Sequence, residues 1–247
     1  MLAIDERMTE IIQLDHDILL FVNSLHCAFF DFFMKACSDK LVWTPFYVAL
    51  FVLFLRTFGW RKACYSLLAI ALTILLTDQL SASLIRPVVA RLRPANLDNP
   101  LSAMVHVVDG YRGGAYGFPS SHAANTAGLT FFVIQVFRKR AMLWLMVGWM
   151  LLVCYSRMYL GVHFLGDILV GIIIGAVIGT LMARVFLAIS SKLLLPADEI
   201  ENGQADVAGP ARVMSLLATP FSWVVAAFLL TILALLLYAW VRLSQGA

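Results

Sequence analysis

The sequence is short of charge. Eighteen basic and 15 acidic side chains make up 13% of 247 residues, about half the roughly 25% typical of a soluble domain. With 62% hydrophobic residues, nothing is left to build a polar shell, which excludes a water-soluble enzyme and a disordered chain. The net charge of +3 is small and scattered, so no polyanion footprint exists and no nucleic-acid partner is expected. Cysteine is equally sparse. Cys27, Cys37, Cys64 and Cys154 lie in apolar stretches, with no CxxC and no His/Cys spacing that would hold a metal. A Cys27–Cys37 pair is open to an oxidising compartment, but nothing requires it. The first 15 residues are polar and acidic rather than basic and then apolar, so no cleavable signal peptide is expected. Internal repeats are absent, and mid-span charge is nearly so, which weighs against transporters and channels. The composition is that of an integral membrane protein.

What is present is a series of apolar runs long enough to cross about 30 Å of hydrocarbon. They fall at Leu41–Phe58, Ala63–Ile85, Ala123–Phe137, Met142–Tyr159, Leu165–Ile189 and Phe221–Val241. The fold class is all-α: a polytopic membrane helix bundle with a five-helix core, a C-terminal sixth span and an N-terminal interfacial helix. Residues 1–40 form the N-terminal segment, 41–190 the core, 191–220 a flexible linker rich in Pro, Gly, Asn and Gln, and 221–247 the last span. Asp17–Cys37 carries Asn23, His26 and Asp31 and reads as one amphipathic helix at the interface, with a true span as the alternative. The linker makes span six an appendage to the core. Trp43, Trp144 and Trp240 fall near span ends, as in an aromatic belt.

Two short basic turns, Arg56/Arg61/Lys62 and Arg138/Lys139/Arg140, place those ends on the cytoplasmic side. The stretch Arg86–His122 and the turn Ser156–Asp167 then face outward, where the acidic N-terminal tail also belongs. Gly171, Gly175 and Gly179 repeat every four residues in the fifth span. Such spacing serves close helix packing within the chain, with a dimer interface as the alternative.

The outward side concentrates the remaining chemistry. Arg86, Arg91, Arg93, Arg112 and Arg157 gather there with only Asp98, Asp109 and Asp167 to balance them. Guanidinium forks pair with phosphate oxygens, so the excess cation suggests an anion supplied by substrate. In Phe118-Pro119-Ser120-Ser121-His122, Ser120 is placed to cap an apolar helix. The free amides beyond it would suit an anion, although plain capping explains the string as well. His163 and Asp167 are four apart at a helix start and share a face, as in an orienting His–Asp pair, and an interfacial ion pair would need no more. Asp78, within the second span among Thr77, Gln79, Ser81 and Ser83, reads as a polar helix contact, and His106 as a surface residue without a partner. His16 and His26 read as interfacial.

Taken together, Arg86-x6-Arg93-Pro94, Pro119-Ser120-Ser121-His122 and Ser156-Arg157-x5-His163-x3-Asp167 resemble the three signatures of the type-2 phosphatidic acid phosphatase superfamily. The resemblance covers roughly residues 41 to 190. Two positions depart from it: Arg86 stands where the family usually has Lys, and Ser121 where it usually has Gly.

The resemblance implies a metal-independent, cofactor-free lipid phosphatase of the bacterial inner membrane, with its site on the outer face. In that scheme His163 attacks phosphorus to form a phosphohistidine, Asp167 orients it, and His122 protonates the leaving oxygen and later activates water. Arg86, Arg93, Arg157, Ser120 and Ser121 would bind phosphate, while Arg91 and Arg112 would meet a second phosphate or a headgroup. The partners are the bilayer and a phosphorylated membrane lipid. Undecaprenyl diphosphate and lipid A rank level as that lipid, ahead of phosphatidylglycerol phosphate or phosphatidic acid. A non-catalytic lipid-phosphate binding protein would be expected to have lost His122 or His163, and both are present.

Overall fold

A computed structural model describes residues 2–192 and 221–245. Among them the chain is helical, and the one β-contact is an isolated antiparallel bridge between Leu92 and Tyr116. Helix α1 (Leu2–Ser24) and α2 (Ala28–Cys37) are followed by a 3₁₀ turn, Lys40–Trp43, and by α3 (Thr44–Asp78). A π-helical stretch, Gln79–Ile85, leads into the short α4 (Arg86–Val89). After the outer loop come α5 (Ser121–Phe137), α6 (Arg140–Tyr159), α7 (Leu165–Lys192) and α8 (Ser222–Ser244). Of the expected linker, residues 193–220 lie outside the described residues.

The apolar stretch Lys40–Val89 runs 50 residues. At about 1.5 Å rise per residue a straight helix of that length would greatly exceed the bilayer. It does not continue straight. Gly59 has φ 77° and ψ 169°, a backbone state open to glycine, and it divides α3 into two limbs. The limbs lie side by side: Thr44, Tyr47, Phe51 and Phe54 of the first and Asp78, Ile74, Ile70 and Ser66 of the second line one cavity. These limbs are the two first spans expected from the sequence. Phe54 and Phe58 meet Phe137 with ring centroids 4.8 and 5.7 Å apart. The two basic turns therefore lie at one end of the bundle.

Helix α5 is the centre of the molecule, and most of its 17 residues are buried. Its main neighbour is α7. A methyl group built on Gly171 would strike the Ser120 carbonyl oxygen. One on Gly175 would strike that of Ala124, and one on Gly179 that of Gly128. Each step of four along α7 matches a step of four along α5, so the helices run parallel, in register and backbone to backbone. The glycine repeat is thus used within the chain, and α6 makes the return crossing. Thr73 and Thr77 of α3 press on Gly128 from another side, and Thr77 Oγ1 bonds Asn125 Oδ1 at 2.6 Å.

Four expectations are corrected. The N-terminal segment is not one helix over Asp17–Cys37; α1 begins earlier, and a 116° bend separates it from α2. The bend is fixed by Asn23, which donates to the carbonyls of Tyr159 (2.7 Å) and His106 (3.0 Å), and by Tyr159, whose hydroxyl donates to Asp31 (2.7 Å). His106 has partners after all, lying 2.9 Å from Asp31 Oδ2 and stacked on His26 at 3.8 Å. Trp43 is no belt residue. It is buried, donates from Nε1 to the Cys37 carbonyl, and stacks on Phe228 of α8 at 5.9 Å. Helix α8 also packs on α3, where Phe228 meets Phe46, and on α2, where Arg242 lies over Phe32, so the sixth span belongs to the bundle's packing and is no appendage. Trp144 and Trp240 are exposed, as lipid-facing or interfacial residues are.

The α5–α7 contact yields a stability prediction. Gly175→Ala should destabilise the detergent-purified protein by about 1–3 kcal/mol, the usual scale of overpacking. Gly148→Ala in α6, whose added methyl meets nothing within 4 Å, should be neutral or mildly stabilising through helix propensity. Thermal unfolding followed by tryptophan fluorescence distinguishes the two.

Candidate active site

The in-register packing of α5 and α7 sets their N-termini side by side. Ser120 caps α5, its hydroxyl accepting from the Ala123 amide at 3.4 Å, while its own amide donates to the Asp167 carbonyl at 3.0 Å. Asp167 occupies the first turn of α7, and Gly161 (φ 67°) closes the turn between α6 and α7 that carries His163. The outer loop is attached by short backbone contacts. Gly117 N donates to the Arg91 carbonyl (2.9 Å) and Arg93 N to that of Ala115 (3.0 Å). Ala95 N donates to Gly161 (3.0 Å). Three segments far apart in sequence thus converge.

His163 sits at their meeting point, 1% exposed. Its Nε2 is 2.9 Å from Arg93 Nη1, and its Nδ1 is 3.4 Å from Asp167 Oδ2. A guanidinium only donates, so Nε2 must present its lone pair and the ring proton belongs on Nδ1, toward the carboxylate. Burial first, then the charges of Arg93, Arg157 and Arg86, hold the His163 pKa well below its ordinary value. The ring is neutral at neutral pH, and its unprotonated nitrogen accepts from Arg93.

Arg93 and Arg157 are 8% and 2% exposed. Among the described residues neither they nor Arg86 has a carboxylate within ion-pair distance, and the Nε–H of all three lacks an acceptor. Arg93 donates to the Val162 carbonyl. Arg157 donates to Ser38 Oγ and, at 3.2 Å, to the Tyr111 hydroxyl. Burial, with Arg157 and Arg86 nearby, brings the Arg93 pKa down to about 10, so it remains a cation. Buried cations without a counter-charge are costly, and an anion would relieve that cost.

Arg86 and Ser121, the two departures from the family pattern, meet each other. Arg86 Nη2 donates to Ser121 Oγ at 2.6 Å and to the Pro119 carbonyl at 3.0 Å. The hydroxyl that fills the glycine position is thus held by the guanidinium that replaces lysine. His122, in the first turn of α5, faces Arg157, His163, Arg93 and Lys40.

The structure places Arg91 differently from the headgroup role expected for it. Nη1 donates to Asp167 Oδ1 (3.0 Å) and Nη2 to Asp15 Oδ2 (2.7 Å), while the guanidinium lies 3.9 Å from the Phe164 ring centroid. It is engaged with two carboxylates at once. Arg112 donates to the Ala95 carbonyl at 2.6 Å, which ties down the loop.

Several contributors are not visible in the motifs. Ser38 and Tyr111 fix Arg157, Lys40 faces His122, and Asp15 reaches in from α1. Gly117 passes so close that a Cβ there would lie 3.0 Å from Asp167 Oδ2 and 3.4 Å from His163 Nδ1. Its place just before the Phe-Pro-Ser-Ser-His string was the only signal available. No His/Cys/Asp/Glu cluster of metal-binding geometry occurs among the described residues.

Comparison with known proteins gives the family. The lipid A 4'-phosphatase of Bacteroides thetaiotaomicron is 45% identical over 163 residues, covering 66% of this chain and 72% of that protein. The lipid A 4'-phosphatase of Porphyromonas gingivalis is 35% identical over 188 residues, 76% and 79% of the two chains. In fold, the chain resembles the crystal structure of LpxE from Aquifex aeolicus, with TM-score 0.52 and 24% identity over 68% of this chain and 93% of that one. It also resembles a transmembrane PAP2 type phosphatidylglycerolphosphate phosphatase from Bacillus subtilis, with TM-score 0.50 and 23% identity over 72% and 87%. The PAP2 superfamily model matches residues 62–190, which contain all three motifs. The chain belongs to the PAP2 superfamily, as a multi-pass membrane phosphatase.

Proposed function

We propose that this hydrolase of lipid phosphate esters removes a phosphate from lipid A through a phosphohistidine intermediate, without a metal. The observation that carries the reading is the set of three guanidiniums, Arg86, Arg93 and Arg157, around the neutral, buried His163. Lipid A is favoured among phosphorylated lipids by the two relatives that bear its name.

In the first step Arg93 Nη1–H turns from Nε2 to a phosphate oxygen, the released Nε2 lone pair of His163 attacks phosphorus, and the bond from phosphorus to the lipid oxygen breaks. Burial and the neighbouring guanidiniums keep His122 unprotonated in the free site; the negative charge of the bound phosphate lets it take up a proton, which it gives to that lipid oxygen. Asp167 accepts from Nδ1–H and stabilises the positive charge that the ring acquires. In the second step His122 takes a proton from water, which attacks phosphorus and releases His163 and inorganic phosphate. Arg86, Arg93 and Arg157 pair with the non-bridging oxygens and stabilise the charge of both transition states, the part a metal ion plays elsewhere. Ser120 and Ser121 line the phosphate side, with the Ser121 hydroxyl held by Arg86.

A cavity of about 510 Å³ supports a lipid substrate. Ser121 and His122 stand at its polar end beside Lys40 and Asp78, and Leu50, Phe54, Ile70, Leu129 and Val153 line the remainder. From Asp78 to Ser66 along α3 it descends roughly 18 Å at helical rise, on the scale of one leaflet's hydrocarbon. An acyl chain in such a space would have its phosphate at the His122 end, toward the arginine cluster. The basic turns occupy the other end of the bundle, which by the positive-inside rule supports a site on the outer face of the inner membrane.

Detergent-purified protein should release phosphate from lipid A in the presence of EDTA. Undecaprenyl diphosphate and phosphatidylglycerol phosphate should be poorer substrates in parallel assays, and His163→Ala should lower release by at least about 10³-fold. Loss of activity in EDTA with recovery on adding a divalent cation would overturn the metal-free mechanism.

A pH effect follows from the neutral His163. In the unfolded chain it takes a proton near pH 6.5, whereas in the fold it does not. Between those two pKa values the unfolded state binds more protons, so stability is lost as pH falls below about 6.5. The unfolding temperature of the phosphate-free protein should therefore drop more from pH 7 to pH 5 in the wild type than in His163→Gln.

A further inference from the structure

We propose that Asp15, on the N-terminal helix, is a positioning residue for catalysis, acting through Arg91 on Asp167 and thereby on His163. The proposal rests on the reading of His163 as nucleophile. Asp15 lies far outside residues 62–190, the part of the chain that carries the superfamily motifs.

The geometry is a hydrogen-bonded ladder from Asp15 to Asp167, with His163 Nδ1 at ion-pair distance beyond its end. Asp15 Oδ2 accepts from Arg91 Nη2 at 2.7 Å, and Arg91 Nη1 donates to Asp167 Oδ1 at 3.0 Å. The other oxygen of Asp167 accepts from the Phe164 amide at 3.0 Å and faces His163 Nδ1 at 3.4 Å. Asp15 also binds the turn that carries His163, because its Oδ1 accepts from the Gly166 amide at 2.9 Å. One carboxylate therefore grips both the arginine that orients Asp167 and the N-terminus of α7 that bears it. The Arg91 guanidinium is stacked on Phe164, between the two residues of the dyad in sequence.

Electrostatics makes Asp15 more than a strut. Asp167 is fully buried, and Arg91 supplies the one guanidinium within ion-pair distance of it among the described residues. Without Asp15, Arg91 keeps a single carboxylate partner and loses the second anchor that fixes its plane. The Asp167 carboxylate is then free to rotate away from Nδ1, which weakens stabilisation of the imidazolium formed during attack. Substrate touches neither Asp15 nor Arg91 in this scheme, so the loss should fall on turnover rather than on binding.

The test is a double-mutant cycle on the full-length protein in detergent, with lipid A as substrate. The variants are Asp15→Asn, Asp15→Glu, Arg91→Gln and Asp15→Asn/Arg91→Gln, with His163→Ala beside them. Asp15→Asn is expected to lower kcat about tenfold with KM changed less than twofold, and Asp15→Glu to recover part of the loss. In the Arg91→Gln background Asp15→Asn should have little further effect, because the path through Arg91 is already cut. Unchanged kcat in Asp15→Asn would overturn the proposal. So would losses that multiply in the double variant, or a fall in kcat matched by a fall in the amount of folded protein, since both describe a packing role. Full activity in His163→Ala would overturn instead the nucleophile assignment on which the proposal stands.

Discussion

The close, parallel approach of α5 and α7 is the constraint from which the rest of the site follows. Glycines at three successive turns of α7 let its backbone lie against the carbonyls of Ser120, Ala124 and Gly128, and any side chain there would separate the helices. Because the match repeats every four residues, sliding one helix past the other is blocked as well as separating them. Register then fixes chemistry: the caps of both helices meet, Ser120 N bonds the Asp167 carbonyl, and two motifs about 40 residues apart become one surface. In a bilayer the apolar side chains gain little from leaving lipid, so such van der Waals fit carries much of the association.

On that base the protein concentrates charge where it is hardest to keep. Arg93 and Arg157 are nearly inaccessible, Arg86 is half-buried, and the carboxylate nearest to them is committed to Arg91. Burial first, and then that uncompensated charge, keeps His163 neutral. Exclusion of water and concentration of cations thus act on the ring together.

Much of this was legible in the sequence, and the reason is that motifs report local backbone needs. The cap at Ser120, the four-residue spacing of His163 and Asp167, and the glycine repeat are each set within a few turns of one helix, and so they show. The spans and the basic turns were readable because hydropathy and charge are properties of segments. Asp15, Ser38 and Tyr111 were not readable, since each acts across the fold on an arginine that gives no sign in sequence of who holds it. Arg91 illustrates the same limit: its charge was evident, its engagement with two carboxylates was not. Trp43 was misplaced because a tryptophan near a span end looks alike whether it meets lipid or, as here, Phe228 of the last helix. The bend between α1 and α2 depends on Asn23 and Tyr159, 136 residues apart, which no local pattern records.

The hydrogen bond between Arg86 and Ser121 bears on descent. A chain with lysine and glycine at these positions differs from this one by two steps, and neither step stands alone comfortably. Arginine opposite glycine leaves the guanidinium without that acceptor, and serine opposite lysine crowds the phosphate side with a hydroxyl that no fork restrains. Lineages should therefore hold the two residues as a unit, passing through the mixed states briefly or by way of a third, permissive change.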